Sequence, residues 1–206
     1  MKYFSIKLKI FIATTILFSP FTIFAQTSNQ VCSPNGYTVI TINGVFTNKD
    51  GAIKNRDKLK DLLDEPFNHQ PLTVDFLLNP SHLAGLGDLV ISAYQKVFDN
   101  ETVEDYDLVE MLKDASAKVK TQKLLLVAHS QGNFYANSFY DTVAGKEGGV
   151  PAESIGVYGV ATPAGRVAGG GKWLTSDTDK VIADWVSLVP FKKIMTPNTS
   201  IVLAEG

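Results

Sequence analysis

The chain alternates between short apolar runs and longer stretches in which apolar residues recur at helical spacing. Residues 36–42 (GYTVITI) are short, apolar and β-branched, which predicts a buried strand. A polar loop, NGVFTNKDG, follows. Residues 50–63 then carry Ile53, Leu59, Leu62 and Leu63 among good helix formers, with Pro66 placed to stop a helix. Residues 72–78 (LTVDFLL) predict a second strand, broken by NPSHLAG. Residues 86–98 and 103–119 have helical spacing. Residues 124–128 (LLLVA) are wholly apolar, the pattern of a strand inside a parallel sheet covered on both faces. Residues 134–143 predict a helix, 154–161 (SIGVYGVA) a strand, 171–176 (GKWLTS) a weaker strand, 180–186 a short helix and 199–204 (TSIVLA) a last strand. Strands alternating with helices predict an α/β fold: a mostly parallel sheet with helices on both faces, in three layers. In such a sheet the functional groups stand at the carboxyl ends of the strands.

The first residues do not belong to this pattern. Residues 1–25 place Lys2, Lys7 and Lys9 ahead of an apolar stretch over 10–24, broken by Pro20, with the small residue Ala25 at the end. This is the pattern of a secretory signal peptide, and it implies export to the periplasm or the cell exterior. A membrane anchor is the rival reading, but the stretch is short against the roughly 17–25 residues that a span requires. No stable membrane span is expected after removal of the signal. Residues 26–35 form a polar lead-in, and 36–206 form one domain. Removal of 1–25 takes away three lysines and no acid, so the net charge of −2 becomes −5. With no basic stripe, nucleic acid is not an expected partner. Cys32 is the one cysteine, unpaired within the chain.

The chemistry concentrates where the LLLVA strand ends, in Ala128-His129-Ser130-Gln131-Gly132. A strand that turns directly into a helix leaves little room, so the residues two before and two after the central one have to be small. Ala128 and Gly132 meet that requirement. The turn lifts the Ser130 hydroxyl above the sheet edge and aims the N–H groups of the following helix at it. With the strand before it and the helix after it, this segment resembles the nucleophile elbow of the α/β-hydrolase fold, in the Ala-His-Ser-X-Gly form of lipases and esterases. The resemblance runs from about residue 36 to residue 206 and implies Ser130 as nucleophile and the Gln131 N–H as an oxyanion donor. The loop after the first strand, Asn43 to Asn48, then supplies the second donor from the backbone of Val45 or Phe46, with Gly44 allowing the turn.

The resemblance also implies an acid just past a later strand. Asp179-Lys180-Val181-Ile182 has the spacing for it, and Asp177 is the alternative. The order in this fold is serine, acid, histidine. The chain has three histidines, and His69, His82 and His129 all precede Ser130. His129 is read as structural or cleft-lining, His69 as solvated and His82 as a weak candidate for the base. The base is therefore expected beyond Gly206, in a segment that this sequence does not include.

No cofactor and no metal are expected: the sequence holds no phosphate loop, no dinucleotide fingerprint and no metal-spaced cluster. The expected activity is that of an exported serine hydrolase cleaving an ester or related acyl bond of a small-molecule or lipid substrate. The alternative is a catalytically inactive hydrolase-like binding protein.

Overall fold

The computed structural model describes residues 32–44, 47–79, 105–180, 182 and 194–201. The signal segment, the 86–98 helix, Val45, Phe46, His82, most of 180–186 and the end of the last strand lie outside these residues. The described residues all fall within one compact unit, Cys32–Gly206.

Five strands form one sheet: β1 (Ser33–Ile42), β2 (Leu72–Leu77), β3 (Thr121–His129), β4 (Ile155–Val160) and β5 (Lys172–Leu174), in the order β2-β1-β3-β4-β5. Every pairing is parallel. Among the described residues three helices connect them: α1 (Lys49–Leu62) after β1, α2 (Asp105–Lys118) after β2 and α3 (Gly132–Val143) after β3. The α/β class and the parallel sheet expected from the sequence are present.

The strand period places alternate side chains on opposite faces. Ile40, Ile42, Leu77, Leu124, Leu126, Ala128, Ile155 and Val157 form one buried layer with Met111 and Ala115 of α2 and Phe134 and Phe139 of α3. The opposite face carries Val39, Val127 and Gly156. Leu59 and Leu63, at the end of α1, border a groove of about 400 Å³ over that face. Leu125 lies there 38% exposed. Among the described residues the LLLVA strand is thus fully covered on one face and partly on the other, whereas its apolar run predicts cover on both. Its outer residues alternate with the buried ones in the ordinary half-buried manner.

Two strands are longer than their apolar cores. β1 starts at Ser33 and β3 at Thr121, and Ser33 pairs with Thr121 before an irregularity in the register. Inside this extension the buried Thr38 and Thr121 hydroxyls satisfy one another at 2.8 Å. The last strand is reduced, among the described residues, to a parallel bridge between Ser176 and Thr199.

Chain direction makes a crevice at one place. From β1 the chain moves outward to its neighbour β2, and from β3 it moves the opposite way to β4. The loops after β1 and β3 therefore part at the carboxyl edge, and such a switch point is where open α/β sheets bind ligands.

Candidate active site at the β1–β3 switch point

β3 runs to His129, and α3 begins at Gly132, so Ser130 and Gln131 make the whole turn. So sharp a reversal needs an unusual backbone: Ser130 has φ 53°, in the left-handed region that non-glycine residues seldom occupy. That conformation costs on the order of 1–3 kcal/mol and persists only when its surroundings hold it. The Ser130 N–H donates to the Val160 carbonyl at 2.9 Å. The Ser130 carbonyl accepts from the Asn133 N–H at 3.0 Å and from Asn133 Nδ2 at 2.7 Å. Asn133 Nδ2 also donates to the Val160 carbonyl at 3.2 Å, so one buried carboxamide ties the turn to the end of β4.

The size requirement at Gly132 has a physical origin in β1. A Cβ at Gly132 would lie 2.5 Å from the Ile42 carbonyl oxygen and 2.8 Å from that of Asn43, both backbone atoms. The start of α3 is therefore pressed against the end of β1. Gly44 is equally confined, and by the site itself: its Cβ would lie 2.9 Å from Ser130 Cβ and 3.2 Å from His129 Nδ1. The loop after β1 and the serine turn after β3 are in contact at Gly44. Val45 and Phe46, the expected backbone donors, lie outside the described residues. Gln131, the other expected donor, is 1% exposed at the start of α3.

The two candidate acids are separated by their surroundings. Asp179 is 9% exposed, and its Oδ1 accepts the Ile182 N–H at 3.2 Å. Asp177 is exposed and accepts from the Ser200 hydroxyl at 2.9 Å. The Asp179 carboxylate acts on His129, raising its pKa. Crowding of the imidazole by protein outweighs this effect, and the His129 pKa lies below 6.5. His129 is nonetheless an exposed residue of the strand end, so the withdrawal from water is partial.

His129 lines a cavity of about 240 Å³ with Thr41, Asn55, Leu59, Val127 and Val160, on the α1 side of the sheet. His69 is exposed in the turn between α1 and β2, away from the carboxyl edge. Among the described residues no group of three or more His, Cys, Asp or Glu is arranged to hold a metal ion. Among them, too, no helix is long and apolar enough to cross a membrane.

One feature of the edge has no counterpart among the expected site residues. Asn43 and Asn79, each just past the end of its strand, are 4% and 0% exposed. Asn79 Nδ2 donates to Gln131 Oε1 at 2.9 Å, so the ends of β1, β2 and β3 are joined by carboxamides. The sequence signal was available: an asparagine follows ITI and another follows DFLL. Asparagine at a strand end is ordinary turn chemistry, and nothing in the sequence alone marks these two as buried.

Compared with known proteins, the chain matches no family model, no curated protein and no solved structure. The five-stranded parallel sheet is compatible with an α/β-hydrolase-like fold.

Proposed function

We propose that this chain is an exported serine hydrolase that cleaves an ester or a related acyl bond. The observation that carries the reading is Ser130, held at φ 53° in a turn between β3 and α3 and touching Gly44 of the neighbouring loop. Strain of this kind clusters at reactive positions. The buried carboxylate of Asp179, which follows β5 at the same carboxyl edge, adds to it.

In this mechanism the Ser130 oxygen attacks the substrate carbonyl carbon while an imidazole takes the hydroxyl proton. Asp179 accepts the imidazole's other N–H and stabilises the cation that forms. Negative charge on the former carbonyl oxygen is met by the Gln131 N–H and by a backbone N–H of the loop after Gly44. Collapse of the tetrahedral species breaks the acyl–oxygen bond, and the leaving alcohol takes the proton from the imidazolium. Water, deprotonated by the same imidazole, then releases the acid and restores Ser130.

The test is hydrolysis of p-nitrophenyl esters by the full-length gene product and its Ser130→Ala variant. The variant is expected to lose activity by about 10³-fold or more with its melting transition retained. Equal activity in the two proteins would refute the mechanism. A folded full-length product that hydrolyses no acyl substrate and leaves Ser130 unmodified by a fluorophosphonate would be a hydrolase-like binding protein instead.

A further inference from the structure

The carboxamides of Asn43, Asn79 and Gln131 are nearly inaccessible to water, at 4%, 0% and 1% exposure. Asn79 comes from the end of β2, and β1 lies between β2 and β3. Its side chain reaches past the end of β1 to the serine turn: Nδ2 donates to the Asn43 carbonyl at 3.2 Å and to Gln131 Oε1 at 2.9 Å. Its backbone N–H donates to Asn43 Oδ1 at 3.1 Å. Asn43 Nδ2 in turn donates to the Gly44 carbonyl at 2.9 Å and to the Thr47 carbonyl at 3.2 Å.

Backbone partners fix which way each amide faces. Carbonyl oxygens can only accept, so Asn43 and Asn79 both have to present nitrogen to them, and Gln131 has to present oxygen to Asn79. Such a buried network is costly unless every member is paired, and once paired it specifies one geometry. The network reaches the Gly44 turn, which touches Ser130, and Gln131, which immediately precedes α3.

On the serine-hydrolase reading above, we propose that Asn79 is a positioning residue of the active site. Through Asn43 it sets the Gly44 turn against Ser130, and through Gln131 it sets the residue that caps the start of α3. The groups that meet the oxyanion are thereby placed before a substrate arrives, by a residue that follows a third strand.

The experiment measures covalent modification of Ser130 by a fluorophosphonate, as a function of probe concentration, in the full-length gene product and in Asn79→Leu and Asn79→Asp. Asn79→Leu is expected to lower the maximal modification rate by about 10- to 100-fold with little change in half-saturation, because misplacement of the donors acts on the transition state. Asn79→Asp is expected to lower the maximal rate likewise, because its carboxylate has no hydrogen to donate to the Asn43 carbonyl, even where Gln131 turns its NH₂ toward it. If the leucine variant does not fold, the aspartate variant decides alone. Wild-type modification rates in folded variants would overturn the role of Asn79 while leaving the serine-hydrolase reading intact. A change confined to half-saturation would overturn it likewise. Absence of modification in the wild-type protein would remove the serine-hydrolase reading and this inference together.

Discussion

Ser130, Gly132 and Gly44 carry the site through backbone geometry as much as through chemistry. Ser130 occupies the left-handed region at φ 53°. Glycine would relieve that conformation, at roughly 1–2 kcal/mol per residue, whereas alanine would not. Ser130→Gly is therefore expected to be more stable than Ser130→Ala by about 1 kcal/mol in urea unfolding, after glycine's own entropic cost is set against the relief. Gly132→Ala should do the reverse. Its Cβ would meet the Ile42 carbonyl oxygen at 2.5 Å, and the expected loss is about 1–3 kcal/mol, read as a lower urea midpoint. His129 gives a pH dependence with a definite sign. Its folded pKa lies below 6.5, chiefly because protein crowds the ring, so the unfolded chain binds more protons in that range. Stability attributable to His129 is present above pH 6.5 and is lost as pH falls through that value toward the lower folded pKa. His129→Asn should lack that acid-side loss, measured as a smaller drop in melting temperature between neutral and acidic buffer.

The elements show what the sequence could and could not convey. Apolar runs marked β1, β2, β3 and β4, because burial against α2 and α3 requires them. The polar ends of β1 and β3 did not read as strand, since Ser33 and Thr121 extend the pairing through backbone bonds and a Thr38–Thr121 hydroxyl contact. The serine turn was legible from Ala128 and Gly132 because the steric demand there admits few residue types. Asn43 and Asn79 were not legible, because the contact that buries them joins three loops distant in sequence. The two sides of β3 offer a direct check on the layer assignment. Leu126 is 0% exposed and Leu125 is 38% exposed. Leu126→Ala is expected to cost about 2–5 kcal/mol, as fully buried leucines do, and Leu125→Ala about 1 kcal/mol or less. Similar losses at both positions in residues 26–206 would mean that the groove face is covered.

At the scale of the whole molecule, strand order explains why distant segments converge. The order β2-β1-β3-β4-β5 sends the chain in opposite directions from β1 and β3. The Asn43–Gly44 turn and the His129–Ser130–Gln131 turn meet at that division, and Asp179 follows β5 on the same edge. Fold class was readable because run length and β-branched content mark the strands while helical spacing marks the segments between them. Strand order was not, since it depends on which faces the helices cover. The measurement that bears most directly on the account is peptide-level mass spectrometry of the full-length gene product after treatment with a fluorophosphonate. The expected result is a single adduct on the peptide that contains Ser130, absent from Ser130→Ala and from heat-denatured protein. Acyl hydrolysis without an adduct on that peptide, or an adduct that forms equally well after denaturation, would contradict it.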